Sequence, residues 1–312
     1  MPQPAELATA QRSAAAGRWL VFAATVFWAS TATLARFVFR DRHVPPLTVV
    51  ELRLTVAAIA LFLFLLVRRP QALRIRPGDA GYFLLLGLLG VAAVQGSYYF
   101  SISKLGVGLA ILIQYLAPTL IVAFELVRGR WVGWPMLGAV ACATAGTALL
   151  VGGVGPEAMH AKPLYWAISF GSAFVFAFYI VYSKRGLECY PPETVLLYTF
   201  SIAGLFWAIV TPPWRIVAAH YPASLWGIFI LLGFFSTLVP LALFYAGLRR
   251  LPASEASVIA TSEPLVAMFT AGFFLHEHMR PMQFFGAALV LGAALLASRS
   301  TPRVAEAAVE RG

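Results

Sequence analysis

Residues 251–277 read LPASEASVIATSEPLVAMFTAGFFLHE, and a looser copy, LGVGLAILIQYLAPTLIVAFELVRGRW, occupies residues 105–131. The offset between them is 146 residues, and it lays Leu105 on Leu251, Ala110 on Ala256, Pro118 on Pro264 and Lys104 on Arg250. Further out, the same offset carries Pro45-Pro46 onto Pro191-Pro192, Gly81 onto Gly227, Gly87 onto Gly233, Tyr99 onto Tyr245 and Gly146 onto Gly292. One ungapped register along the whole chain points to duplication, and an internal repeat decides a fold before any single motif does.

Composition names the solvent. Of 312 residues, 60% are hydrophobic and 12% charged, and the mean hydropathy is +0.81. A water-soluble fold cannot bury that much apolar surface, so lipid must cover it. The net charge of +10 would suit a nucleic acid, but the basic residues stand in short loops between apolar runs. No basic face with interleaved aromatics exists, so nucleic acid is not expected as a partner. Cys142 and Cys189 fall in different repeats, without metal-ligand spacing or a disulfide framework.

Residues 1–18 are polar and Ala-rich and read as a disordered cytoplasmic tail. The run 19–36 is just long enough to span; its repeat counterpart, 164–184, cannot be a leader, so the first run belongs to the fold. Eight other runs, 47–67, 81–103, 107–127, 132–151, 194–211, 225–248, 253–275 and 282–298, each approach the ~20 residues a spanning helix needs. The chain thus divides into a first five-helix repeat (19–151), a connecting loop (152–163), a second repeat (164–298) and a polar tail (299–312). Fifteen Lys and Arg fall on the face that holds both termini and seven on the other, which places both termini in the cytoplasm.

Five is an odd number, so the second copy enters the membrane from the opposite face. The expected fold is an all-α integral membrane protein of ten transmembrane helices, built as two inverted five-helix repeats about an axis in the membrane plane. Such symmetry supplies two equivalent gates around one central site, as alternating access requires.

Ser262-Glu263-Pro264, Leu275-His276-Glu277, Gly286, Gly292 and the degenerate Leu116-Ala117-Pro118 together resemble the drug/metabolite transporter superfamily, in particular its EamA-type ten-helix members. The resemblance covers roughly residues 19–298. In the family the second motif reads Leu-Gly-Glu; here His276 takes the glycine's place, and Trp131 stands where the first repeat would carry the matching glutamate. The aromatic-rich interior is similar to YddG-type exporters of aromatic amino acids. What the resemblance implies is efflux of small metabolites from the cytoplasm across the cell inner (plasma) membrane, with the chain a multi-pass protein of that membrane.

Candidate site residues follow from depth and spacing. Gln95, Tyr98 and Tyr99 share a helical face, Gln114 and Tyr115 lie mid-helix, and Tyr245 is the repeat mate of Tyr99. Polar groups cannot face lipid without cost, so they should turn inward, although the tyrosines would serve equally as interfacial anchors. Trp28 and Tyr179 offer surfaces on which a substrate side chain can stack. Neutral hydrogen bonds from Gln and Tyr, with aromatics around them, suit a zwitterion. Glu263 stands about 15 Å along its helix, placed to bind a substrate amine, to carry a coupling proton or to mark a structural kink. Pro118, Pro240 and Pro264 should kink or break their helices. Arg53 is read near the outer end of the second helix, pairing with Glu51 or snorkelling outward. Helices 5 and 10 should pack through Gly138, Gly146, Gly286 and Gly292. His276 and His278, at i, i+2, share no helical face, so no metal is expected, and no cofactor.

These features describe a carrier of amino acids, or a multidrug or metabolite carrier of the same architecture. An integral-membrane enzyme would need clustered catalytic groups at one depth, which the sequence lacks. The expected partners are a small-molecule substrate and membrane lipid, with a homodimer left open.

Overall fold

The structure is a computed structural model that describes residues 4–40, 42, 44–151, 161–275 and 281–300. These residues trace ten helical passes: α1 (Pro4–Arg40), α2 (Pro46–Arg68), α3 (Pro77–Leu105), α4a and α4b (Val107–Gln114 and Ala117–Val127), α5 (Trp134–Val151), α6 (Pro163–Cys189), α7 (Pro192–Val210), α8 (Ala223–Leu248), α9a and α9b (Ala253–Ala260 and Glu263–Leu275) and α10 (Pro281–Ser298). Among the described residues eight passes, α4 taken across its break, are each long and apolar enough to cross a bilayer; the others are α1 and the interrupted α9. Proline opens several of them. Pro45 and Pro191 are extended, and Pro46 and Pro192 begin α2 and α7, where a missing N–H costs nothing and the fixed φ suits the first turn. The Pro-Pro pairs of the repeat are therefore two equivalent helix starts.

The irregularities repeat as well as the helices. A π-helical segment interrupts α3 at Leu86–Ala92 and α8 at Gly233–Leu238, and the offset of 146 superposes them. In α4 the helix breaks at Tyr115-Leu116, and in α9 at Thr261-Ser262, again offset mates. Pro118 and Pro264 stand second in the restarted helices α4b and α9b, so both breaks fall where the sequence predicts them. Pro240 behaves differently. The eighth helix does not break there; it widens into the π segment just before the proline. Val94, its repeat mate, follows the same π turn without a proline, so Pro240 is not the cause.

Packing obeys the internal symmetry. α1 packs on α8 and α3 on α6; α1 packs on α9b and α6 on α4. α2 packs on its own mate α7, and α5 on α10, so the pseudo-two-fold axis passes through these two pairs. At the second pair, the contact is made by Gly146 and Gly286. Gly138 makes only ordinary contact, and Gly292 has open space around it, contrary to the expectation that all four glycines pack. On α2, Ile59, Phe62, Leu63, Phe64, Leu66 and Val67 are exposed, an apolar surface fit for lipid.

The N-terminal residues depart from expectation. From Pro4 onward they continue α1 as helix rather than forming a disordered tail, and Arg18 is anchored. Its Nε donates to Glu255 Oε1 at 2.6 Å and its Nη2 to the Ser298 carbonyl at 3.0 Å, tying α1, α9a and α10 together. On the same face Lys184 donates to the carbonyls of Leu248 (2.6 Å) and Leu251 (2.8 Å), capping the end of α8. The offset carries Arg18 to Leu164, Glu255 to Leu109 and Lys184 to Val38. Leu109 accordingly sits in an apolar cluster with Leu105, Ile113, Tyr165 and Trp166. Among the described residues, apolar packing around Leu109 thus stands where the opposite face has the Arg18–Glu255 pair.

Candidate functional site

The two helix breaks meet. Glu263 is the first residue of α9b, and its carboxylate accepts a 2.6 Å hydrogen bond from the hydroxyl of Tyr115, which sits at the α4 break. A half-helix N-terminus leaves its first N–H groups free and carries partial positive charge, so an anion is stabilised there. Corresponding broken helices are where inverted-repeat carriers build their sites.

Around this contact the aromatics form a continuous belt. Tyr115 meets Phe176 edge-on at 6.4 Å, Phe176 stacks on Tyr179 at 6.1 Å, and Tyr179 lies 5.9 Å from Tyr245. Phe244, beside Tyr245, packs at 5.7 Å on Trp28. The belt thus draws on α4, α6, α8 and α1. Tyr245 is fully buried, with its hydroxyl 2.8 Å from Ser183 Oγ, and Tyr179 is buried with it. Trp28 remains half-buried. The structure therefore joins Tyr115 to Glu263 and sets Tyr179, Tyr245 and Trp28 along the belt that runs on from Tyr115.

On α3, Tyr98 meets Tyr99 edge-on at 5.7 Å. Arg53 completes this side. The sequence reading of it is wrong: Arg53 neither pairs with Glu51 nor snorkels. It is 8% exposed; its Nε donates to Thr237 Oγ1 at 2.9 Å and its Nη1 to the Tyr99 hydroxyl. Glu51 instead accepts from Thr55 at 3.0 Å. Every residue from Thr48 to Leu54 is buried, because this turn of α2 is enclosed by α7 and the π segment of α8. Gln95 is half-buried one turn before Tyr99, and Gln114 is buried at the end of α4a; neither makes a side-chain hydrogen bond among the described residues. Phe176 was missed by the sequence reading although it stands three residues before Tyr179, on the same face.

A crevice of about 1020 Å³ opens between α4b, α6 and the start of α9a. Its walls include Ile121, Phe124, Phe174 and Ala177, with Arg128, Arg130 and Arg185 toward one face. Ala177 adjoins Phe176, so the crevice ends one residue from the aromatic belt. Glu125 also lines it, near the same helix end as Arg128 and Arg130. His276, Glu277 and His278 lie outside the described residues. Among the described residues no group of three or more His, Cys, Asp or Glu gathers to hold a metal.

The sequence profile of the EamA-like transporter family matches this chain twice, over residues 15–152 and again over 164–299. The chain belongs to the EamA-like transporter family. It is a membrane transporter, and the two matches are the two halves of the structural repeat. Among its relatives, the protein named uncharacterized inner membrane transporter YicL of Salmonella typhimurium is 27% identical over 92% of this chain and 97% of its own. The threonine/homoserine exporter RhtA of Escherichia coli is 26% identical over 86% of this chain and 84% of its own. A solved crystal structure superposes with a TM-score of 0.74 at 20% identity, over 93% of this chain and 99% of that one, which shows that the EamA-like fold is shared.

Proposed function

We propose that this transporter exports neutral amino acids, aromatic and other large ones among them, from the cytoplasm by alternating access. The observation that carries the reading is the Tyr115–Glu263 contact, where the breaks of α4 and α9 meet between the two repeats. A carboxylate there suits an α-ammonium group, and the belt from Tyr115 to Trp28 offers aromatic faces to a side chain. The name of RhtA supports amino acids as a class. In this reading both termini are cytoplasmic, and the crevice beside Phe176 is the path toward the site from that side. The contacts of Arg18 and Lys184 hold the same face together and must part when it opens.

The test is uptake of labelled amino acids into proteoliposomes with unlabelled competitors. Saturable uptake for which phenylalanine and leucine compete is the expected result; liposomes that take up no amino acid would move the assignment to drug or metabolite carriage. Gln95→Ala and Gln114→Ala are each expected to lower the transport rate about tenfold, the loss of one or two hydrogen bonds to substrate, with unchanged membrane yield. Two variants that transport at the wild-type rate would remove both glutamines from the site.

A further inference from the structure

An arginine held inside a membrane bundle is costly to insert, so Arg53 needs a reason to be where it is. It begins about 10 Å into α2 at 1.5 Å per residue. Burial of the whole turn around it closes the route to the interface. Its hydrogen-bond partners, Thr237 and Tyr99, are neutral hydroxyls, and its guanidinium carbon lies 5.9 Å from the centre of the Tyr99 ring. Among the described residues it forms no salt bridge. A purely structural arginine would be expected to close on the nearest carboxylate, because an unpaired buried charge is costly. Yet the neighbouring carboxylates point elsewhere: Glu51 to Thr55 and Glu263 to Tyr115.

The two charges are nonetheless joined through one set of packed helices: Arg53 reaches Tyr99 on α3, α3 packs along α4a, and the break that follows α4a carries Tyr115, which holds Glu263; Tyr98, half-buried, stands edge-on to Tyr99. Two opposite charges thus stand inside one helix bundle without pairing among the described residues. Each is held by hydroxyl groups that also fix its aim. Thr237 comes from the π segment of α8, and such segments recur at functional sites. What fits between a fixed cation and a fixed anion is a molecule carrying the complementary pair.

We propose that Arg53 is the carboxylate anchor and Glu263 the ammonium anchor of a subsite for the α-amino acid backbone, with Tyr98 between them. The proposal rests on the exporter reading and sharpens it. Guanidinium binds carboxylate through parallel N–H donors, a geometry that lysine cannot reproduce. The site then selects zwitterions: an amine without a carboxylate leaves Arg53 unpaired, and an acid without an amine leaves Glu263 unpaired. Side-chain choice falls to the aromatic belt, which explains how one site takes residues of different size.

The experiment is equilibrium binding of labelled phenylalanine to the purified full-length protein in nanodiscs. The competitors are phenylalanine methyl ester, phenethylamine and 3-phenylpropionate. On wild type, each analogue is expected to compete at least about 30-fold more weakly than phenylalanine, since each leaves a buried charge without its partner. Arg53→Gln and Arg53→Lys should weaken phenylalanine to the level of its methyl ester while leaving the ester's own affinity within about twofold. An ester or amine that competes as well as phenylalanine on wild type would overturn the subsite and leave the exporter standing. Absence of binding by phenylalanine and by every other amino acid offered would overturn both. Because the analogue series uses the wild-type protein, it decides the matter even where an Arg53 variant fails to fold.

Discussion

Glu263→Gln is expected to lower kcat/KM for amino acid transport at least about 100-fold while the protein reaches the membrane in undiminished amount. The substitution keeps the shape of the side chain and an acceptor for the Tyr115 hydroxyl, and removes only the charge. On insertion scales a mid-helix carboxylate costs about 2.5–3.5 kcal/mol, of which the N-terminus of α9b returns about 0.3–2 kcal/mol. Neutralising it should therefore leave stability unchanged or slightly raised. A structural role for Glu263 before Pro264 makes the opposite forecast: glutamine would lower yield or thermal stability and spare the transport rate of whatever protein survives. Tyr115→Phe, which removes the hydrogen bond but not the charge, should fall between, with a loss of about tenfold. Measuring initial rates and folded yield for the three proteins side by side separates the two accounts.

The fold was legible because duplication writes its evidence twice. A single offset located the repeat, its parity inverted it, and the prolines at 118 and 264 marked the two breaks that meet at Glu263. What the residues did not disclose was the asymmetry laid over that symmetry. Arg53 looked like an interfacial charge because its position was counted from the end of an apolar run; only the enclosure of α2 by α7 and α8 shows that the turn is interior. The π segments carry no sequence signal of their own, since Gly87 and Gly233 are shared but the proline at 240 is not. Arg18 and Glu255 lie 237 residues apart, and nothing local to either announces the pair. Their mates Leu164 and Leu109 explain why no repeat comparison found them: both are apolar, and Leu109 packs beside Leu105 and Ile113 where its mate Glu255 accepts from Arg18. An inverted repeat gives the two faces matching positions, and substitutions at those positions are free to make the faces chemically different.

The helix pair on the axis yields the second large effect. Gly286→Leu is expected to destabilise the protein by about 1–3 kcal/mol or more, an overpacking cost, and to lower its thermal unfolding midpoint by roughly 5 °C. A Cβ at residue 286 would lie 2.8 Å from the Gly146 carbonyl oxygen and 3.0 Å from the backbone nitrogen of Leu150; one at residue 146 would lie 2.8 Å from the Gly286 carbonyl oxygen. Both obstacles are backbone, which cannot rotate away as a side chain can. In lipid, where helices gain nothing from excluding water, close backbone approach is what holds such a pair, so separating α5 from α10 forfeits the contact on both sides. The control is Gly292→Ala. Residue 292 is the repeat mate of Gly146, yet it meets no atom within 4 Å, and alanine there should be neutral or stabilise α10 by up to about 1 kcal/mol through helix propensity. Equal losses from Gly286→Leu and Gly292→Ala would mean that the whole glycine-bearing face packs. Equal tolerance would mean that α5 and α10 do not hold each other through residues 146 and 286. A loss confined to position 286 places the join of the two repeats at that crossing.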